Sequence, residues 1–421
     1  MHKIERLLQT LAPKGVEFKT LEEVFEIKNG YTPSKNNPEF WKNGTIPWFR
    51  MEDIRENGRI LKDSIQHITP KALKGKKLFP KNSIIISTTA TIGEHALLIV
   101  DSLANQRFTF LSKKANCDLA LDMKFFFYQC FLLGEWCKNN TNVSGFASVD
   151  MTAFKKYKFP IPPLEIQQEI VKILDAFTEL NTELNTELKA RKKQYEYYQN
   201  MLLDFNDINQ NHKDAKMSAK PYPKRLKTLL QTLAPKGVEF RKLGEVCDFQ
   251  KGKSITKKAV TFGKVPVISG GRQPAYYHNE ANRSGETIAI SSSGVYAGYV
   301  SYWDIPVFLA DSFSVSPKQK TLMPKYLFHY LTTQQDAIHA TKSAGGIPHV
   351  YSKDLQNFLI PIPPLEIQQE IVKILDQFSI LTTDLLAGIP AEIKARKKQY
   401  EYYREKLLTF KPLTPHKEVK K

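Results

Sequence analysis

The chain of 421 residues is long enough for two or three domains, each with a hydrophobic core of its own. It contains no apolar run of about 18 residues and no secretory signal pattern, which excludes a membrane-spanning helix and predicts a soluble, cytoplasmic protein. Its formal net charge of +18 favours a polyanionic partner, with a merely solubilising surface as the alternative. The four cysteines show no CxxC spacing, so buried free thiols are expected.

Residues 1–158 are predicted to form a first domain of mixed α/β structure. In chain order the patterns indicate a short helix, a strand-like segment over residues 16–30, proline- and glycine-rich loops that carry Trp41 and Trp48, a buried strand over residues 83–87, an alternating strand over residues 107–111 and a helix over residues 119–137.

A long helix over residues 159–205 is predicted to come next. It opens with PIPPLEIQQEIVKILD at residues 160–175, and paired prolines suit a helix start because the first turn leaves its N–H groups unpaired anyway. Apolar residues from Ile170 to Phe205 step by threes and fours, which is a heptad seam. The seam favours a coiled coil with a second helix over an amphipathic helix lying on a globular core.

The same order of domain and long helix then returns, so the chain is a tandem duplication. A polar linker opens residues 206–357, which hold a second α/β domain, and residues 358–421 hold a second long helix and a basic tail. Three blocks are identical in both halves: PIPPLEIQQEIVKILD (residues 160–175 and 361–376), KARKKQYEYY (189–198 and 394–403) and LLQTLAPKGVEF (7–18 and 229–240). The second helix carries four extra residues near Gly388 and Pro390, where a kink or stutter is expected.

The predicted architecture is α+β, with two globular recognition domains separated by two long antiparallel helices that form a coiled coil with pseudo-twofold symmetry. By count, the helices sum to −3 and the rest of the chain to +21, so the basic surface belongs to the domains. Between the identical blocks almost no letters agree. Identical blocks that attach the heads to the helices, with different sequences between them, predict two heads with different targets. A helix of about 40 residues is roughly 60 Å long, which would suit two heads that bind two segments of one DNA duplex.

Candidate base-reading residues lie in polar loops after predicted strands, since Arg and Gln suit bidentate contacts to guanine and adenine, and Ser or Thr can contact either base. They are Thr88, Thr89, Thr91, Gln106 and Arg107 in the first domain and Arg272, Gln273, Ser292 and Ser293 in the second. Lysines are the candidates for phosphate contacts: Lys71, Lys74, Lys76 and Lys77, and Lys251, Lys253, Lys257 and Lys258. For each base-reading candidate the alternative is a structural or phosphate-facing role.

The chain resembles the DNA-specificity (S) subunits of Type I restriction-modification enzymes over essentially its whole length. The resemblance lies in the order of its elements: a head, a helix that opens with PIPPLEIQQEIV and contains KARKKQYEYY, a second head and the same helix again. The TEL tetrapeptides at Thr178, Thr182 and Thr186 add to the resemblance. Membership implies that each head reads one half of a bipartite, asymmetric site in double-stranded DNA. It also implies that the helices set the half-site spacing and bind two modification (methyltransferase) subunits, and that restriction subunits join through that complex.

Catalytic motifs are missing from the sequence. It has no glycine-rich cofactor loop with an NPPY-like motif, no Walker A pattern, no HExxH and no Cys/His metal spacing, so we expect a non-enzymatic chain that needs no cofactor or metal. The main competing hypothesis is a protein-only adaptor whose two heads grip protein partners. Steep salt dependence of duplex binding would favour the DNA reading over the adaptor.

Overall fold

The computed structural model describes residues 2–142, 147–205, 221–318, 320–343, 346–383 and 388–413. The chain divides into two compact units. Unit 1 comprises residues 1–183 and 394–421, and unit 2 comprises residues 184–393. Of the linker predicted over residues 206–224, residues 206–220 lie outside the described residues, and Lys224 already begins a helix.

Unit 1 contains twelve strands in its described residues. The strands are β1 Glu17–Thr20, β2 Phe25–Asn29, β3 Ile46–Phe49, β4 Ile60–Leu61, β5 His67–Ile68, β6 Ser83–Ser87, β7 His95–Leu98, β8 Leu103–Ala104, β9 Phe108–Lys113, β10 Thr141–Asn142, β11 Ser148–Val149 and β12 Lys158–Ile161. The helices of the first domain are α1 His2–Leu11, α2 Leu21–Val24, α3 Met51–Asn57, α4 Met123–Asn139 and α5 Met151–Lys155. Helix α6, Leu164–Leu203, comes after them.

The head of unit 1 is built on two sheets. Its five-stranded sheet has the order β2-β9-β6-β7-β4, and its three-stranded sheet has the order β5-β3-β8. Strands β3 and β8 run parallel, with Phe49 opposite Ala104. Strand β6 is buried at every residue, and β9 is buried on both faces up to Ser112. The strand predicted over residues 107–111 is confirmed as β9, but neither face is exposed, because helix α4 and the second sheet cover both faces of this region.

Unit 2 repeats this plan. Its strands are β13 Phe240–Lys242, β14 Cys247–Lys251, β15 Phe262–Ile268, β16 Tyr276–His278, β17 Thr287–Ser291, β18 Val300–Trp303, β19 Phe308–Leu309, β20 Ser312–Pro317 and β21 Leu359–Pro361. Its helices are α7 Lys224–Leu233, α8 Leu243–Val246, α9 Pro324–Thr333, α10 Gln335–Ala340, α11 Ser352–Leu355 and α12 Leu365–Thr383. The sheets have the orders β14-β20-β17-β18 and β16-β15-β19, and β15 runs parallel to β19 as β3 does to β8.

Each long helix is joined to a head by one buried glutamine. Gln167 is fully buried, its Nε2 donates to the carbonyls of Ala120 (2.8 Å) and Pro162 (2.7 Å), and its Oε1 accepts from the N–H of Asp122 (2.8 Å). In unit 2, Gln368 makes the same three contacts, with the carbonyls of Thr321 (2.8 Å) and Pro363 (2.7 Å) and the N–H of Met323 (2.9 Å). The identical sixteen-residue block thus encodes an identical mounting.

A second set of contacts between each long helix and its head lies about two turns further along the helix, and it too is repeated in both units. Asp175 accepts from Lys124 Nζ (2.6 Å) and Tyr128 Oη (2.6 Å) in unit 1. Asp376 accepts from Lys325 Nζ (2.6 Å) and lies 3.1 Å from His329 Nε2 in unit 2. Both aspartates sit at the end of the identical block, so the mounting extends over about three turns of each helix.

The second long helix is interrupted where the sequence predicts a kink. Helix α12 ends at Thr383, and helix α13, Gly388–Leu408, begins with a φ of +74° at Gly388. A Cβ on Gly388 would lie 2.5 Å from the carbonyl oxygen of Ile380, whereas residues eight apart in a continuous helix are separated by about 12 Å. The four extra residues therefore do not lengthen the helix by a full turn.

Candidate nucleic-acid interface

The ends of four strands in unit 1 are tied together at one edge of the head. The N–H of Tyr31, just after β2, donates to the carbonyl of Ala104 (2.8 Å), and the N–H of Asn105 donates to the carbonyl of Phe49 at the end of β3 (2.9 Å). The N–H of Thr88, just after β6, donates to the carbonyl of Arg107 (3.2 Å). We call residues 30–36, 50–55, 88–93 and 105–107 loop edge 1.

Unit 2 has the same backbone frame at its corresponding edge. The N–H of Lys253 donates to the carbonyl of Leu309 (2.9 Å), that of Ala310 to Ile268 (2.8 Å) and that of Ser292 to Asp311 (3.0 Å). We call residues 252–256, 269–273, 292–299 and 310–311 loop edge 2. The two edges share a hydrogen-bonded frame while their side chains differ.

Loop edge 1 surrounds a cleft of about 910 Å³. The lining includes five basic side chains, one glutamate, two tryptophans and several neutral polar groups, which together could bind a polyanion and contact base edges. The lining residues are Lys35, Asn36, Pro38, Trp41, Lys42, Trp48, Arg50, Met51, Glu52, Arg55, Gln66, Ser87, Thr91, Asn105, Arg107 and Phe108.

The structure gives the first-domain candidates different surroundings. Thr91 and Arg107 are exposed and line the cleft, and Gln106 is exposed beside it and accepts from the hydroxyl of Thr32. Thr89 is half-buried. Thr88 is 6% exposed, and its hydroxyl is 3.0 Å from that of Thr109, so it supports the edge from inside the head.

The second-domain candidates divide in the same way. Arg272 and Gln273 are exposed, and the Arg272 guanidinium lies 5.0 Å from the ring centroid of Tyr296 and 5.6 Å from that of Tyr299. Ser292 is half-buried. Ser293 is buried and donates to the carboxylate of Asp311, so its hydroxyl is occupied within the head.

All eight candidate lysines are exposed. Lys71 pairs with Glu39 (3.5 Å), whereas the ammonium of Lys74 lies 5.4 Å from the Phe40 ring and that of Lys76 lies 4.0 Å from the Tyr31 ring. Lys77 comes after them in the same loop.

In unit 2, Lys251 ends β14, Lys253 lies in loop edge 2, and Lys257 and Lys258 lie in a short 3-10 helix, Lys257–Ala259. The structure thus places Lys253 within loop edge 2, and Lys251, Lys257 and Lys258 next to it along the chain.

Sequence reasoning missed much of the cleft lining. The additional basic side chains are Lys35, Lys42, Arg50 and Arg55, and the additional amides are Asn36, Gln66 and Asn105. A usable signal was present, since Arg50 directly follows the strand IPWF in a stretch that alternates basic residues with tryptophans. The prolines and glycines of this stretch concealed the strand.

The described residues contain no group of three His, Cys, Asp or Glu side chains able to hold a metal ion. His95 is almost completely buried between the rings of Phe127 and Phe131. Burial lowers the pKa of His95 to about 3, so its ring stays neutral at ordinary pH and serves the core. In the described part of the chain no helix is long and apolar enough to cross a bilayer.

Comparison with known protein families shows which family this chain belongs to. The family described as the Type I restriction modification DNA specificity domain matches twice, over residues 13–193 and 235–395. The chain belongs to the specificity subunits of Type I restriction enzymes. Among these subunits, that of EcoprrI from Escherichia coli is 41% identical over 400 residues, covering 91% of this chain and 93% of the relative.

A second specificity subunit and a solved structure are less similar to this chain. The subunit of EcoR124I/EcoR124II from Escherichia coli is 32% identical over 311 residues, which cover 65% of this chain and 70% of the relative. Among solved structures, the Type I S subunit from M. genitalium superposes with a TM-score of 0.57 at 19% identity, covering 93% of this chain and 95% of that one. A likeness at this identity shows the shared fold.

Proposed function

We propose that this specificity subunit binds double-stranded DNA through its two loop edges, each of which reads one half of a bipartite, asymmetric site. The observation that carries the proposal is the repeated backbone frame with different side chains: one frame gives both heads the same way of presenting loops, and different loops give them different half-sites. The excess of basic residues outside the helices, +21 by count, supplies the phosphate attraction that such binding needs.

The proposed role of the long helices is to set the distance between the half-sites. Helix α6 is 40 residues long, about 60 Å. In unit 1, Phe177 near the start of α6 packs on Tyr400 and Tyr403 near the end of α13, with ring centroids 6.3 and 5.6 Å apart. In unit 2, Tyr198 near the end of α6 packs on Phe378 of α12 at 5.2 Å. These pairings support an antiparallel coiled coil.

We further propose that the chain is not itself an enzyme and works with partners. Its duplicated mounting blocks would offer duplicated surfaces to two modification subunits, and restriction subunits would join through that complex. The functional division we propose is residues 1–158 for the first recognition domain, 159–205 for the first helix, 206–357 for the linker and second recognition domain, and 358–421 for the second helix and tail.

The test is a head exchange. Residues 241–342 would be replaced with the corresponding part of another specificity subunit, and methylated sites would be mapped in cells that also express the modification partner. We expect one half of the methylated motif to change and the other half to stay. Change in both halves, or in neither, would contradict one head for each half-site.

A binding experiment separates DNA recognition from the adaptor hypothesis. The complex of the chain with its modification subunits would be titrated against duplexes that carry or lack the mapped motif, at several salt concentrations. We expect affinity to fall steeply with salt, as counterion release requires. Affinity that is insensitive to both salt and motif would identify a protein-only adaptor instead.

A further inference from the structure

Two arginines occupy comparable places in the two loop edges. Each lies just after the middle strand of the three-stranded sheet, β3 in unit 1 and β15 in unit 2. Arg50 comes directly after Phe49, and Arg272 comes four residues after Ile268 in the turn SGGR. The middle strands are fixed on both sides, so both arginines stand on rigid supports.

Aromatic rings hold both guanidinium groups. That of Arg50 lies 5.9 Å from the centroid of Trp48, and that of Arg272 lies between Tyr296 and Tyr299 at 5.0 and 5.6 Å. A guanidinium stacked on a ring keeps its N–H groups in the plane and free to donate outward. Less rotational freedom is then lost when the arginine binds an acceptor.

The donors of these two arginines are not consumed within the heads. Arg50 Nε is buried without a hydrogen-bond partner, and it forms one long ion pair, with the Glu52 carboxylate at 3.8 Å. Arg272 forms no hydrogen bond or ion pair with any residue in the described part of the chain. The guanidinium of Arg50 lines the cleft and that of Arg272 is exposed, so both can offer hydrogen bonds to a ligand at the edge.

Other arginines in the same heads show what a structural role looks like. Arg283 donates to Ser314 Oγ (2.9 Å) and to the backbone carbonyls of Asn282, Gln250 and Lys251. Arg59 donates to the Glu94 carboxylate (2.5 Å) and the carbonyl of His95 (3.0 Å). The contrast separates arginines whose donors are used within the fold from two whose guanidinium groups keep donors without a hydrogen-bond partner.

We propose that Arg50 and Arg272 each read a guanine, one in the half-site of each head. A guanidinium can donate two parallel hydrogen bonds to N7 and O6 of guanine, which no other base presents as a pair of acceptors in the major groove. This inference rests on the proposed function and adds to it the two positions that fix a G·C pair in each half of the motif.

The test uses Arg50→Lys and Arg272→Lys in the complex with the modification subunits. Lysine keeps the charge but loses the planar fork, so it retains phosphate attraction and loses bidentate base reading. For each variant we expect discrimination at one G·C position to fall by about 5- to 150-fold, in one half of the methylated motif only. The two variants should affect opposite halves, and the untouched half of each shows that the complex is folded and active.

Arg241→Lys is the matched control, because Arg241 lies in β13 away from loop edge 2 and pairs with Glu239 and Glu245. It should leave both halves intact. Uniformly weaker methylation without relaxed sequence preference would make either arginine a phosphate contact and overturn the inference. So would a half-site without any G·C pair, or loss of all methylation together with a lowered melting temperature. If the unaltered chain directs no bipartite methylation, the proposed function itself fails, which is a distinct result.

Discussion

Replacing the buried glutamine of one mounting should loosen one head and leave the other unchanged. In unit 1, Gln167→Met preserves the volume of the side chain but removes its amide. Three backbone groups then lose this partner: the buried carbonyl of Pro162, the carbonyl of Ala120 and the N–H of Asp122. At a net value of about 1 kcal/mol for each hydrogen bond, the substitution costs about 3 kcal/mol.

The neighbouring glutamine supplies the control. Gln168 stands next in the sequence but is exposed, so Gln168→Met should change stability by about 0.5 kcal/mol or less. Hydrogen exchange measured by mass spectrometry resolves the two units. Because Asp122 caps helix α4 through the N–H groups of Lys124 and Phe125, the peptide that covers residues 120–126 should exchange about 100-fold faster in the Gln167 variant.

Unit 2 provides an independent repeat. Gln368→Met should accelerate exchange in the peptide covering residues 321–327 and leave residues 120–126 as they are. Equal exchange in the Gln167 and Gln168 variants would refute the assignment of stability to these three hydrogen bonds. Acceleration in both units from either single substitution would refute the independence of the mountings.

Three further predictions concern acidity, thiols and helix length. Burial pushes the pKa of Asp376 upward, but hydrogen bonds from a histidine and a lysine outweigh it and lower the pKa below its ordinary value of 3.8. The ionised Asp376 therefore stabilises the fold above pH 3.8, and this stabilisation is lost as the pH falls through the lowered pKa. This loss should be absent from the acid unfolding curve of Asp376→Asn. Burial raises the pKa of the Cys130 thiol well above its usual value, so an aromatic disulfide reagent should label Cys117, which is half-buried, and spare Cys130 unless the protein is unfolded. Deleting residues 182–185 shortens helix α6 by about 6 Å and rotates the C-terminal part of the helix by about 40°. Methylation mapping should then show unchanged half-sites with a spacer altered by one or two base pairs. An unchanged spacer would contradict the proposal that the helix sets the distance between the half-sites.

Patterns that depend on neighbouring residues were predictable from the sequence. The buried strand over residues 83–87 is confirmed at its predicted bounds, because a short run of β-branched isoleucines between serines favours a strand buried on both faces. The long first helix is confirmed as α6, Leu164–Leu203, since its paired prolines and its seam agree. The duplicated frame was recognisable from identical letters alone.

Features set by single side chains or distant contacts were not predictable in the same way. The helix predicted over residues 119–137 begins later, at Met123, because the Asp122 carboxylate caps it. The strand-like segment over residues 16–30 is split by the short helix α2, where Thr20 and Glu23 form a capping box. Both are local signals that a search for periodicity passes over.

In the candidate site, the positions of the loops were predictable from the sequence, whereas the orientation of individual side chains was not. The sequence predicted which loops after β6 and before β9 face outward together, and Thr91 and Arg107 do line one cleft. It could not show that Thr88 points inward, because burial of a hydroxyl depends on Thr109 across the sheet. Nor could it place Arg50 in the cleft, since that position depends on the parallel pairing of β3 with β8.

Unit 1 is assembled from two separate stretches of chain, whereas unit 2 is one continuous stretch. Leu407, Leu408 and Phe410 pack into the core of unit 1, and Val16 exchanges backbone hydrogen bonds with Lys411 and Leu413. During translation at ~5–20 residues per second, roughly 10–40 s separate the two stretches. The head that emerges first from the ribosome is therefore completed last, and the apolar surface that Leu407, Leu408 and Phe410 cover stays exposed until the second long helix has been synthesised.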